Sequence, residues 1–122
     1  MGLTADNGAV SGSAMFHGDD LLAMSKKQLN RIRAEKIGMI FQDPMAALNP
    51  VVPIGHQVSE QIRAHRAISE HQALRQAGDL LGKMGLADIA SLLKAFPHQL
   101  SGGQRQRVMI AMALSLSPQL LI

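Results

Sequence analysis

Leu100-Ser101-Gly102-Gly103-Gln104-Arg105-Gln106-Arg107, running into Val108-Met109-Ile110-Ala111-Met112-Ala113-Leu114, is the stretch that organises this 122-residue chain. Physically it is the start of a helix. Ser101 suits an N-cap and Gln104 follows three residues later, the spacing of a capping box. Seven apolar residues then run without a break, which predicts a helix buried all round rather than an amphipathic one. Two glycines in the first turn are unexpected, because each costs about 1 kcal/mol in a helix relative to alanine. They make sense if a ligand must come close to the backbone. A helix N-terminus offers free N–H groups and about half a positive charge, so the simplest such ligand is an anion, for instance a phosphate.

Working outward, Ser-x-x-Gln recurs at Ser25 with Gln28 and at Ser69 with Gln72. The box therefore marks helix starts and has no functional weight of its own. Ser25 opens a basic helix to about Glu35, carrying Lys26, Lys27, Arg31 and Arg33. Ile37 to Phe41 is a short apolar run that fits a buried strand. Asp43-Pro44, Asn49-Pro50 and Pro53 are turn signals, so Gln42 falls where strand passes to loop. Ile54, Val58 and Ile62 repeat every four residues, and Ala73, Leu74, Ala77, Leu80, Leu81 and Met84 keep helical spacing. Gly85-Leu86 suits a Schellman ending. Asp88 caps a short helix that stops before Pro97. Gln119 to Ile122 has the character of a buried strand. Before Ser25, Val10 to Phe16 is read as a short strand and His17-Gly18-Asp19 as a turn.

Composition limits the possibilities. Apolar residues make up 47% and charged residues 17%, which places the chain among globular rather than disordered sequences. With no cysteine, disulfides and thiolate metal sites are excluded. Val108 to Leu114 is far shorter than the roughly 20 residues of a membrane span. Met1 to Val10 has neither the basic start nor the apolar run of a signal peptide. A soluble, cytoplasmic protein is expected. The formal charge of +3 is mild, and three phenylalanines (Phe16, Phe41, Phe96) form no platform for stacking bases. The five histidines, His17, His56, His65, His71 and His98, show no metal-ligand spacing and are expected at the surface or in packing roles.

Leu100 to Gln104 resembles the signature motif of the ATP-binding cassette (ABC) transporter ATPases. Phe41-Gln42-Asp43-Pro44-Met45 resembles their Q-loop, in the wording of dipeptide and oligopeptide importers. The resemblance covers nearly the whole chain. It implies an α/β fold: a fragment of a P-loop NTPase cassette, mostly its helical lobe with a few strands of the β lobe and core sheet. Residues 1–50 would be partial β lobe and core strand ending in the Q-loop. Residues 51–122 would be the helical lobe with the signature helix and the start of the Walker B strand. The resemblance further implies that Ser101, Gly102 and Gly103 bind the γ-phosphate of ATP held by an opposite subunit, with Gln104 ordering the loop. It implies that the Gln42 amide reaches Mg²⁺ and the attacking water.

The implied partners are a second ATPase subunit and transmembrane permease subunits contacted near Asn49 to His56, with no nucleic acid. The implied place is the cytoplasmic face of the inner membrane. The Walker A spacing Gly-x-x-x-x-Gly-Lys-Ser/Thr does not occur in these residues. Gly78 to Met84 comes nearest, but it is one residue short and lies within a helix pattern. The sequence is therefore expected to be an internal fragment, lacking Walker A and the Walker B Asp and Glu, that by itself neither retains nor hydrolyses ATP. Strands at Ile37 to Phe41 and Gln119 to Ile122 are expected to belong to a larger parallel sheet.

Two other readings compete. One is a basic helical DNA-binding module, in which Arg105, Gln106 and Arg107 read bases; the apolar run from Val108 leaves it a single turn for a groove. The other is a non-catalytic interaction module. Arg105 and Arg107 are read either as ion-paired with nearby acidic groups or as solvated charge.

Overall fold

The computed structural model describes residues 8–40, 42 and 47–122. Met1 to Asn7, Phe41, and Asp43 to Ala46 lie outside the described residues, so the expected strand end at Phe41, the Asp43-Pro44 turn and the flanks of Gln42 are not located.

The described chain opens with a two-residue hairpin, β1 (Met15–Phe16) against β2 (Asp19–Asp20), antiparallel with Phe16 opposite Asp19. His17 and Gly18 both have positive φ, 50° and 89°, which is the backbone of a tight type I′ turn. The strand is shorter than the Val10 to Phe16 expected. Helix α1 (Lys26–Glu35) follows, with the Ser25–Gln28 capping box formed in full. Lys26 and Lys27 are exposed, and Arg31 pairs with Glu35 at 3.1 Å on an exposed face. Such a surface pair contributes little. Arg33 is half-buried, its Nε without a partner among the described residues and its Nη1 3.4 Å from Asn30 Oδ1.

β3 (Ile37–Gly38) pairs in parallel with β4 (Leu120–Leu121), Ile37 opposite Leu120. The bond from Ile40 N–H to Ile122 C=O, 2.8 Å, extends the ladder. The parallel direction matches the sequence reading; the burial does not. Gly38 is buried, but Leu120, Leu121 and Ile122 are 41%, 43% and 56% exposed. An apolar run reports the wish for a covering layer, not its presence, and the described residues cover only one face of this pair. That covered face is tight. A Cβ on Gly38 would stand 2.8 Å from the carbonyl oxygen of Ala113 and 3.0 Å from side chains of Leu121 and Pro118. Between β3, α1 and the helices described next lies a cavity of about 220 Å³, lined by Met39, Met109 and Met112 among others.

The core is helical. α2 (Ile54–His65), α3 (Glu70–Lys83), α4 (Ile89–Lys94) and α5 (Gly102–Leu114) pack on one another. Ile54, Val58 and Ile62 are the buried stripe of α2, and Ala73, Ala77 and Leu81 that of α3, as the four-residue spacing predicted. Leu92 of α4, the linker residues Leu86 and Leu100, and Val108, Met109 and Ala111 of α5 join them. Each large side chain buried this way contributes about 1.5–3 kcal/mol. α3 ends as read: Leu86 N–H bonds to Leu81 C=O at 3.3 Å and Gly85 N–H to Gly82 C=O at 2.9 Å, with Gly85 at φ 72°. These are the two bonds of a Schellman motif, and φ above zero is why glycine stands there.

α5 corrects one expectation. Val108, Met109 and Ala111 are buried, but Ile110, Met112, Ala113 and Leu114 are only half-buried. The helix fills the groove between α2, α3 and the strands on one side, and the described residues leave its other side partly open.

Gly55 marks where α2 and α4 meet. A Cβ there would lie 2.7 Å from the Leu93 carbonyl oxygen and 3.0 Å from its Cδ2. The backbone carbonyl cannot rotate away, because its helix is fixed by the Asp88 cap and by the Ile54 N–H bond to Ala95 C=O. Gly55→Ala is expected to cost about 1–3 kcal/mol through overpacking, despite the better helix propensity of alanine. Chemical denaturation checks it; a neutral or stabilising result would contradict the close approach.

Candidate functional site

The Ser101 turn is built from two sides. Pro97–Gln99 forms a single 3₁₀ turn, closed by Leu100 N–H to Pro97 C=O at 3.2 Å, and Leu100 is buried. This anchors the chain where it enters α5. Ser101 has extended backbone, φ −65° and ψ 161°, as an N-cap requires. Its Oγ accepts from Gln104 N–H at 3.2 Å, and Gln104 Oε1 accepts from Ser101 N–H at 2.8 Å. Gln104 is thereby engaged in ordering the turn.

The three capping boxes differ in one respect. Ser25 and Ser69 also donate their hydroxyls to the paired glutamine, at 2.7 and 3.1 Å. Ser101 makes no such bond among the described residues, so its O–H can donate outward. Ser101, Gly102, Gly103 and Gln104 are all exposed. A Cβ built at Gly102 or Gly103 meets nothing within 4 Å, and neither glycine has positive φ. Nothing in the described fold needs glycine here. The N–H groups of Gly102 and Gly103, the first two of the helix, have no acceptor among the described residues, as expected of a helix start. One free hydroxyl, two free N–H groups and the helix dipole thus face open space together. That is a donor set for a multiply charged oxyanion such as a terminal phosphate, and it is too exposed to hold one alone.

Arg105 and Arg107 do neither of the things read from sequence. Among the described residues they pair with no carboxylate, nor are they simply solvated. Arg105 Nε donates to Pro97 C=O at 2.8 Å, and Arg107 donates to Gly85 C=O at 3.0 Å and to Met84 C=O at 3.4 Å.

Gln42 lies on a bend after β3 and is exposed. Its amide can orient water or offer one oxygen to a hard cation, but no group of three His, Asp or Glu residues able to hold a metal occurs among the described residues. Asn49 to Val51 and His56 face solvent, with Val51 78% exposed, while Ile54 and Gly55 between them are buried. Sequence reading missed what holds the loop: Gln57 accepts from Asn49 N–H at 2.9 Å and donates to the carbonyls of Asn49 and Val52 at 2.9 and 2.7 Å. All five histidines are exposed; His98 stacks on Phe96 and His56 stands 3.9 Å from Glu70. Gly78 to Lys83 lies within α3, with Gly78 against Ile89 of α4, so it is packed helix and not a phosphate loop.

The ABC transporter family profile matches residues 2–122. The chain belongs to the ABC transporter family. Among its relatives, the oligopeptide transport ATP-binding protein OppD of Salmonella typhimurium is 45% identical over all 122 residues, which make up 36% of that protein. OppD of Bacillus subtilis is 45% identical over 111 residues, 91% of this chain and 31% of the relative. The chain thus spans about a third of the length of these relatives. Among solved structures, the ATP-binding cassette MJ0796, in a dimeric post-hydrolysis state bound to ADP and Pi, superposes with a TM-score of 0.78 at 28% identity. It covers 91% of this chain and 47% of that one. CbiO1 from Clostridium perfringens, part of the ABC transporter complex cbiONQ, superposes with a TM-score of 0.73, also at 28% identity. The fold is therefore that of part of an ABC ATPase cassette, mostly helical with few strands. No helix among the described residues is long and apolar enough to cross a membrane.

Proposed function

We propose that this segment supplies the signature half of a composite ATP site in an ABC importer ATPase, acting in trans on nucleotide held by a second ATPase subunit. The observation that supports it most is the donor set at the head of α5. The free Ser101 hydroxyl and the open N–H pair of Gly102 and Gly103 fit a γ-phosphate, and α5 is anchored through its middle by the buried Val108 and Met109. ATP brings the concentrated phosphate charge that such donors neutralise. Because the donors are preorganised, they need not rearrange as charge shifts during phosphoryl transfer. Gln104 keeps Ser101 in place. The Gln42 amide would orient the attacking water and could offer its oxygen to Mg²⁺, which would supply charge neutralisation of the phosphates when bound.

The domain reading follows: residues 1–50 as partial β lobe and core strand ending in the Q-loop, and residues 51–122 as helical lobe. The exposed residues of Asn49 to His56, with Asn49 and Val52 held by Gln57, would meet transmembrane permease subunits, so the protein would sit peripherally on the cytoplasmic face of the membrane. Peptide is the transported solute best supported, since relatives such as OppD are named for oligopeptide transport.

ATP-dependent dimerisation separates the trans role from a cis one. In the full-length ATPase that carries this segment, a non-hydrolysable ATP analogue is expected to produce a dimer by light scattering. Gly102→Asp should bind the analogue with unchanged affinity yet stay monomeric. A Gly102→Asp protein that dimerises normally would remove the proposed role.

A further inference from the structure

Arg105 and Arg107 stand at the fourth and sixth positions of α5, immediately behind the donor set. A cation in the first turn of a helix works against the helix dipole, so Arg105 at least is a cost to the isolated helix. Their hydrogen bonds explain the placement. Arg105 reaches back eight residues to the carbonyl of Pro97, a residue buried almost completely. Arg107 reaches 22 residues back to the carbonyl of Gly85, in the Schellman turn that ends α3. The acceptors lie on different elements, one on the 3₁₀ turn before α5 and one at the end of α3. Together the two tethers tie the first two turns of α5 to the 3₁₀ turn and to the end of α3.

The seat for Arg107 is specific. A Cβ on Gly85 would come within 3.2 Å of its guanidinium nitrogen, so the glycine that allows the turn also leaves room for the tether. Charge-assisted bonds to carbonyls, with no carboxylate partner among the described residues, leave both positive charges uncancelled beside a site built for an anion.

We propose that Arg105 and Arg107 are positioning residues: they aim Ser101, Gly102 and Gly103 at the partner-held phosphate by clamping α5 to Pro97 and Gly85. This rests on the trans reading above. Their removal should slow turnover without weakening the binding of ATP to its own subunit, since a small misplacement of catalytic donors costs rate.

The experiment uses the full-length ATPase, with kcat from phosphate release and nucleotide affinity of the monomeric subunit from a fluorescent ATP analogue. Arg105→Gln and Arg107→Gln are each expected to lower kcat by about tenfold while affinity changes by less than about twofold. Arg107→Lys, which keeps a charged donor, should recover kcat to within about threefold of the parent protein. Arg107 is exposed, so its variants keep the test alive if Arg105→Gln, half-buried, does not fold. Unchanged kcat in the Gln variants, loss of kcat and affinity in parallel, or no recovery with Lys overturns the proposal. Gly102→Asp runs beside them. If it is inactive while the Gln variants are normal, the tethers alone are wrong; if it too is normal, the trans reading fails first.

Discussion

Gly102→Asp is expected to cut ATP turnover of the full-length ATPase by about 100- to 1,000-fold, the scale of losing a preorganised donor at a developing charge. The fold should not suffer. Gly102 is helical, exposed and surrounded by open space, so an aspartate side chain meets no steric bar. A carboxylate in the first turn interacts well with the helix dipole, by about 0.3–1 kcal/mol, and relieves part of the glycine penalty. The same carboxylate stands where a phosphate would have to approach, and repels it. One substitution therefore pushes stability up and turnover down. Phosphate release and thermal denaturation measured on one preparation check both signs. Turnover within a few-fold of the parent protein would show that no anion uses this helix start.

Leu81→Ala is expected to have the largest effect on folding. Leu81 is fully buried, belongs to the cluster with Ile62 and Val108, and its carbonyl accepts the Leu86 bond of the Schellman turn. Truncation leaves a cavity that the packed helices cannot close, at about 2–5 kcal/mol. Total stability of a domain is only about 5–15 kcal/mol, so this is a large share of it. Val51→Ala, at a position 78% exposed, should stay within about 0.5 kcal/mol. Urea denaturation of the pair checks the contrast. Equal midpoints for the two variants would contradict the placement of the core.

Much of this fold was legible because its signals are local. Ser25, Ser69 and Ser101 each specify a helix start within four residues, and Ile54, Val58 and Ile62 specify a buried stripe within one helix. Gly85-Leu86 encodes its turn in two residues. What escaped depends on chain folding back over longer distances. Gly55 gives no sign in sequence that it faces the Leu93 carbonyl. The targets of Arg105 and Arg107 are backbone carbonyls, which every residue carries, so no pattern of acidic residues could have pointed to them. Leu120 and Leu121 read as buried because they are apolar, whereas burial also needs a covering layer. The candidate site was legible as the glycine pair in a capped turn. That the Ser101 hydroxyl, unlike those of Ser25 and Ser69, does not bond its paired glutamine depends on side-chain geometry that the shared Ser-x-x-Gln spacing does not encode.

The central claim is that Ser101 to Gly103 serve a nucleotide bound by another subunit. Mixed dimers of the full-length ATPase address it most directly. One subunit carries Gly102→Asp; the other carries a disabled phosphate-binding loop and an intact Ser101 turn. If the turn acts in trans, the mixed dimer keeps one complete composite site, because the working loop of the first subunit faces the working turn of the second. ATP turnover, or trapping of one nucleotide per dimer, is then expected well above the level of either variant alone. If the turn acts within its own subunit, neither site is complete, and mixed dimers as inactive as the two parent variants would contradict the account.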